Sequence, residues 1–215
     1  MINKTGLYTF LLCLSCLNYI KSQPIEKPFE FILKWTPSKL IEPQHSTIFL
    51  NAELVWKKKL GFSLGYGQKC YVWDKNSFVF NDYYKSNIEL TYQFFHLEPV
   101  SFFAGINAFH HELNYAKNSG YVYLNDTFYS YEYAEHQFII NGLYGLGGMR
   151  ITEGHFMMEF YSGLGFRQRN VSVSNIEGQM YHDGFFEWIG PGRETYPGTD
   201  YTWHFSLGMR IGVVF

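Results

Sequence analysis

The stretch that decides the fold is residues 201–215, which read YTWHFSLGMRIGVVF. Large apolar side chains fill every odd position, while small or polar ones fill almost every even position. Because successive side chains of a β-strand point to opposite faces, this period of two predicts a strand with one apolar face. The odd positions are Tyr201, Trp203, Phe205, Leu207, Met209, Ile211, Val213 and Phe215.

The same alternation recurs upstream and predicts eight strands in all. Each is close to the length of about 9 to 11 residues that a tilted transmembrane strand needs. One of them, at 138–151, is rich in glycine, and its pattern leaves open which side chains share a face. The predicted strands lie at 29–35, 47–56, 60–67, 87–94, 101–109, 138–151, 155–167 and 201–215.

The connections between these strands alternate between short and long. Short links lie at 57–59, 96–100 and 152–154, and long ones at about 37–46, 68–86, 110–137 and 168–200. This polarity is typical of outer-membrane barrels, which have periplasmic turns and longer extracellular loops. The sequence therefore predicts an all-β fold, an eight-stranded antiparallel up-and-down transmembrane β-barrel, with both termini in the periplasm.

The amino end has the layout of a secretory signal peptide. Lys4 precedes an apolar stretch over about 7–17, which is too short to span a membrane as a helix. We expect cleavage after Ser22, so the predicted organisation is a signal peptide at 1–22, a short linker at 23–28 and the barrel domain at 29–215. Only Cys70 then stays in the mature chain, which predicts no intrachain disulfide.

Composition narrows the function classes. Only 17% of the 215 residues are charged and the formal net charge is −2, so a basic nucleic-acid binder is excluded. A soluble barrel with a ligand cavity also has eight strands, but its exterior would need many Lys and Glu side chains. The face opposite the apolar one carries mostly Gly, Ser, Thr and Asn instead, and 20% of the chain is aromatic. Both features favour apolar residues facing lipid, with aromatic girdles at the interfaces.

The predicted inward face also carries ionisable residues of both signs. An eight-stranded barrel is just wide enough for side chains to fill it, and buried charges are costly unless they pair. We therefore predict an internal salt-bridge plug, in which Glu159 and Arg210 are partners. The alternative is a proton or ion path. The predicted network is Lys34, Glu53, Glu89, Glu159, Arg167, His204 and Arg210.

Taken together, these features resemble the small eight-stranded outer-membrane β-barrel proteins of OmpA/OmpX-like architecture. The resemblance covers about 29–215 and includes the segment FYSGLGFR at 160–167 and the terminal Phe215. It implies outer-membrane lipid and lipopolysaccharide as partners, and a carboxyl-terminal signal that the barrel-assembly machinery reads. The implied signal residues are Phe205, Met209, Ile211, Val213 and Phe215.

Some barrels of this size are enzymes that modify lipid A, which defines the competing hypothesis. A resemblance to the deacylase branch of these enzymes would require a His-x-Ser-Asn sequence. The segment HHELN at 110–114 has no Ser at the required place. The palmitoyl-transfer branch uses His, Asp and Ser at the outer rim, and His182 and Asp183 offer only a weak match. We therefore expect no enzyme activity and no cofactor. We also expect no metal, since adjacent His residues on a strand point to opposite faces and form a poor chelate.

The long connections hold many aromatic side chains. One interpretation is that these side chains continue the strands and pack the loops together; the other is a partner-binding surface, because Tyr and Trp provide rigid contact area. The predicted function is a non-catalytic structural or surface-interaction role with an unknown extracellular partner, and the alternatives are lipid A modification and a narrow solute pore. The candidate contact residues are Tyr121, Tyr123, Tyr129, Tyr131, Tyr181, Phe185 and Trp188.

Overall fold

The computed structural model describes residues 28–40, 47–69, 78–124, 127–178, 180–181 and 196–215. In this part of the chain, eight long strands follow one another, with a short 3₁₀ helix, Pro37–Leu40, after the first and a two-residue strand, Met180–Tyr181, before the last. The predicted signal peptide, residues 23–27 of the linker and Cys70 lie outside the described residues. The strands are β1 Phe29–Trp35, β2 Thr47–Trp56, β3 Leu60–Lys69, β4 Phe78–Leu97, β5 Val100–Leu124, β6 Thr127–Glu153, β7 Phe156–Glu177 and β8 Gly198–Val214.

The eight strands form a closed antiparallel ring, which confirms the predicted fold class. Each strand pairs with the next along the chain, and β8 pairs with β1. When paired residues are traced from each strand to the next, from β1 round to β8, the path leads from Lys34 to Thr202. In the direct pairing between β1 and β8, however, Lys34 lies opposite Gly212. The ring therefore closes with a stagger of ten residues (212 − 202), which means that the strands tilt strongly, by about 35 to 45° in barrels of this kind.

Among the residues described, no helix is both long enough and apolar enough to cross a membrane.

An apolar band surrounds the barrel. Its members point outward and each exposes at least 40% of its side chain, which agrees with the predicted orientation. Side chains on the opposite face point into a crowded lumen: a Cβ added to Gly65, for example, would overlap the side chains of Asn51 and Asn87. The band includes Phe31, Leu54, Phe62, Leu64, Ile88, Leu90, Ile106, Leu143, Phe160, Leu164, Phe205 and Leu207.

Four strands continue well beyond the apolar band, so the predicted bounds of three long loops, 68–86, 110–137 and 168–200, were wrong. β4, β5, β6 and β7 contain 20, 25, 27 and 22 residues, so 110–124 and 127–137 form the outer part of one hairpin. The prediction required an apolar outward face, whereas above the band the outward face is largely polar and the apolar side chains lie in a core of their own. We call the outer parts of these four strands the extension; it comprises 78–85, 110–124, 127–137 and 168–177.

The extension has a core of its own. Aromatic and aliphatic side chains from all four strands pack together in two clusters. Val122 and Ala134 are fully buried in the outer cluster. This packing agrees with the first interpretation of the aromatic residues, in which they continue the strands. The inner cluster consists of Tyr83, Leu113, Tyr115, Phe138 and Val171, and the outer one of Val122, Tyr131 and Ala134.

Candidate functional site

Six charged side chains meet inside the barrel and form what we call the central charged layer. Lys34 contacts Glu53 at 2.8 Å (Nζ to Oε2) and Glu159 at 3.2 Å (Nζ to Oε2). All three side chains are completely buried. The layer as a whole consists of Lys34, Glu53, Glu89, Arg150, Glu159 and Arg210.

Two arginines complete the layer. Arg150 Nη2 lies 2.9 Å from a carboxylate oxygen of both Glu53 and Glu159. Arg210 Nη1 lies 2.7 Å from Glu89 Oε1 and 2.6 Å from Glu159 Oε1. Three cations thus face three carboxylates, and Glu159 touches every cation. A buried group of this kind is tolerated because its charges balance and its carboxylates accept hydrogen bonds from the cations and from Thr91 and Asn107.

The composition of this layer corrects the sequence prediction at three residues. Arg150 was missed because the facing of the glycine-rich strand was left open, although its pairing opposite Glu159 on β7 identifies it. Arg167 and His204 face inward but lie outside the layer. Arg167 Nε donates a hydrogen bond to Thr202 Oγ1 at 3.0 Å, and the His204 ring packs against Phe109. The strong strand tilt explains the error, because inward residues of different strands lie at heights that sequence spacing alone does not give.

Aromatic side chains pack directly against the charged layer. The ring of Tyr161 lies 4.2 Å from the Arg210 guanidinium and that of Phe103 lies 5.7 Å from Arg150. These rings belong to a buried cluster with Phe109, Tyr144 and Leu146. Charge and aromatic packing therefore fill the lumen at this level.

The predicted assembly-signal residues lie on the last strand. Phe205, Met209, Ile211 and Val213 are on the outward face of β8, and Phe215 closes the barrel seam. The Phe215 ring lies 6.0 Å from Phe31, and its backbone N–H donates to the Phe31 carbonyl at 2.9 Å. Their reading by an assembly machinery stays a prediction.

A polar cluster on the outer wall, just above the apolar band, includes the predicted histidine region. Tyr84 donates to Glu112 at 2.6 Å (Oη to Oε2), and His110 Nδ1 lies 2.7 Å from Asn141 Oδ1. The hydrogen bonds from Tyr84 and Asn114 lower the pKa of Glu112, and the Glu112 carboxylate raises the pKa of Tyr84. In the part of the chain that the structure describes, His110 lies opposite Ser86 on β4 and Asn141 on β6, and its Nε2 lies 3.4 Å from Tyr84 Oη and 4.0 Å from Glu112 Oε2.

The described residues contain no group of three or more His, Cys, Asp and Glu side chains placed to hold a metal ion. His182 and Asp183, the weak rim match, lie outside the described residues. So do Phe185, Trp188 and the side chain of Tyr181.

The remaining aromatic candidates differ in their availability for contact. Tyr131 is 3% exposed, so it is a core residue and not the contact residue that the sequence suggested. Tyr121, Tyr123 and Tyr129 are half-buried, and Tyr123 packs against Tyr196 with ring centroids 5.2 Å apart. These three keep part of their surface available on the extension.

His136 is the buried titratable group at the heart of the extension. Its ring stacks on Tyr115 with centroids 5.0 Å apart, and its Nε2 shares a hydrogen bond of 2.8 Å with the Tyr131 hydroxyl. Its Nδ1 is buried without a hydrogen-bond partner. Burial, together with the charge of Lys117, lowers the pKa of His136 from 6.5 to about 4.

This low pKa predicts that acid loosens the extension. The unfolded segment binds more protons than the folded one between pH 4 and pH 6.5, so the stabilisation is present above pH 6.5 and is lost as the pH falls toward 4. We expect amide hydrogen exchange in 112–124 and 127–137, corrected for its intrinsic pH dependence, to accelerate over this range. The variant His136→Phe keeps a ring in the stack and should remove the effect; an equal response in that variant would contradict the assignment.

Comparison with known proteins adds one distant likeness. No protein-family model matches the sequence, and no curated protein is significantly similar to it. Among solved structures, the chain is similar to a major outer membrane protein from Thermus thermophilus, with 13% identity over 87% of this chain and 98% of that one, and a TM-score of 0.42. The class that the fold itself defines is the closed eight-stranded barrel with an apolar exterior and a charged interior.

Proposed function

We propose that this protein is a non-catalytic barrel of the outer membrane whose extension makes contacts at the cell surface. The apolar band supports the location, because a continuous exposed apolar surface of this height is stable against lipid and costly against water. The closed ring supports it as well, since hydrocarbon requires every backbone group to be paired. The packed charged layer argues against the narrow solute pore.

The extension is the single observation that carries the contact role. β5 has 25 residues, of which about 9 to 11 suffice to cross the bilayer. At about 3.3 Å per residue and with the strand tilt, the remainder projects roughly 40 Å beyond the band. A four-stranded sheet with its own aromatic core is costly to maintain, and nothing in the barrel needs it for closure.

Shortening the outer hairpin tests this role. Replacing 117–134 by Asn-Gly, a two-residue turn that suits antiparallel strands, joins Ala116 to its partner Glu135 and leaves the rest of the ring intact. We expect the variant to fold with the heat-modifiable migration of the full-length barrel. We also expect at least a tenfold loss of adhesion, measured with cells that display the protein on surfaces coated with extracellular proteins.

A matched control keeps the hairpin but changes one outward position on it. Asn118→Ser leaves the length and the core of the extension unchanged and should adhere as the unaltered protein does. Full adhesion by the shortened variant would contradict the contact role. Release of fatty acid from lipid A by the purified full-length protein would replace the proposal with the enzyme hypothesis.

A further inference from the structure

A turn of three consecutive lysines joins β2 to β3 at the end of the barrel opposite the extension. We call it the lysine turn; its side chains, those of Lys57, Lys58 and Lys59, are all exposed. In the described part of the chain, none of them forms an ion pair with a carboxylate. The other two described turns at this end carry acids instead, Glu98 in one and Glu153 in the other. Positive charge is therefore concentrated at one place on this rim.

The backbone of the lysine turn has an unusual conformation. Lys57 and Lys58 have φ of 49° and 55°, in the left-handed region that favours glycine and asparagine. Two consecutive residues of this kind match a type I′ hairpin turn, for which Asn-Gly is the preferred pair. The Lys57 N–H donates to the Pro28 carbonyl at 2.8 Å, and the Lys59 carbonyl accepts from the Gln93 N–H at 2.8 Å. The turn is thus held from both sides with lysine in a strained conformation, which indicates that these side chains serve a purpose other than forming the turn.

An exposed indole ring lies directly beside the lysine turn. Trp56 is 43% exposed on the outward face of β2, and Lys57 Nζ lies 5.1 Å from the centre of its ring. Its cross-strand neighbours, Phe29 and Leu60, are also outward and exposed. Trp side chains of membrane proteins are enriched at headgroup level, between hydrocarbon and water. Because the apolar band reaches Trp56, the lysine turn that follows it is at the level of the lipid headgroups.

We propose that the lysine turn binds the headgroups of anionic phospholipids in the leaflet at this end of the barrel. The lysine ammonium groups contact the lipid phosphates, and the Trp56 ring packs beside the upper part of the acyl chains. A lipid fits better than a soluble acidic partner, because Lys57 lies over a ring that itself faces the bilayer. Each lysine close to an anionic membrane surface strengthens binding about fivefold. The inference rests on the proposed membrane location and is independent of the contact role of the extension.

The test uses the fluorescence of Trp56. The full-length protein is folded into vesicles of phosphatidylcholine with a minor fraction of phosphatidylglycerol, and bromine, which quenches tryptophan, is carried by the acyl chains of one lipid or the other. The emission of Trp56 is the difference between the emission of the unaltered protein and that of Trp56→Phe. From the quenching of this difference, we expect phosphatidylglycerol to associate beside Trp56 about tenfold more strongly than phosphatidylcholine.

One variant removes the charge and also relieves the backbone strain. Lys57→Asn/Lys58→Gly/Lys59→Gln has the residues that the turn prefers, so it should fold at least as readily as the unaltered protein. Its preference for phosphatidylglycerol should fall to about onefold, because the attracting charges are gone. The matched control, Lys57→Arg/Lys58→Arg/Lys59→Arg, keeps three cations at the same positions and should keep the preference of the unaltered protein.

The remaining outcomes overturn the proposal. Equal quenching by the two brominated lipids, an unchanged preference in the uncharged variant, or a lost preference in the arginine variant would show that the charge of the turn does not select the lipid. Complete loss of the preference on addition of polyglutamate would assign the turn to a soluble acidic partner.

A second variant keeps the proposal testable if the uncharged one fails to fold. Lys58→Gln/Lys59→Gln leaves Lys57 over the Trp56 ring, and it must lower the preference by at least about threefold. Failure of the unaltered protein to insert into vesicles would refute the membrane location as well. Insertion without a lipid preference would refute only the role of the lysine turn.

Discussion

Replacing Glu159 by glutamine is expected to lower the free energy of unfolding by about 3 to 5 kcal/mol. The Glu159 carboxylate is completely buried and lies within 3.2 Å of Lys34, Arg150 and Arg210. The substitution keeps the shape of the side chain but leaves three cations facing two carboxylates in a closed lumen. Urea titration of the protein in bilayers, followed by tryptophan fluorescence, measures the loss.

An exposed acid on a neighbouring strand provides the control. Glu153→Gln changes the same chemical group at the turn between β6 and β7, where the side chain is exposed, and should change stability by less than about 0.5 kcal/mol. A loss under about 1 kcal/mol for Glu159→Gln would mean that water compensates the cations and that the layer is open to solvent.

Replacing Ile106 by arginine is expected to cost about 2 to 4 kcal/mol of folding free energy in bilayers. Ile106 is outward-facing and 55% exposed, and it pairs with Leu90 and Gly145 near the middle of the apolar band. The arginine would place a charge at the level where the bilayer is driest. The measurement is a urea titration of reversible folding into vesicles.

The same strand offers a matched position outside the band. Asn114 lies eight residues further along β5 on the same face, within the extension. Asn114→Arg should therefore cost less than about 1 kcal/mol. Equal costs at the two positions would contradict the assignment of the apolar band to lipid.

The sequence predicted the barrel well where one face of a strand is apolar. At β8 and β3 the alternation indicated both the presence of the strand and the side that faces outward. It did not predict the extension, because Tyr115, Phe138 and their neighbours pack against one another in a sheet whose other face is polar. If alternation of aromatic with polar residues had also been counted as a strand pattern, the sequence would have predicted longer strands at β5 and β6.

The sequence predicted that charges of both signs pair inside the barrel, but it identified only some of the residues of the central charged layer. The pattern identified buried charges of both signs, and the structure brings Glu159 and Arg210 to 2.6 Å. It missed Arg150 and included Arg167, which differ in height along the barrel axis. Height depends on the stagger with which the ring closes, and that stagger is a property of all eight registers together.

The central charged layer also constrains the order in which the protein can assemble. Its members come from six strands, including the first and the last. Lys34 contacts a carboxylate 125 residues away along the chain, and Arg210 contacts one 121 residues away. A chain lacking β8 would leave Glu89 and Glu159 short of a cation in hydrocarbon, at a cost of several kcal/mol. Charge neutrality is therefore reached only when the ring is complete. Partly formed barrels are therefore less stable than the closed ring. As a result, insertion into the bilayer and closure of the sheet form a single cooperative event.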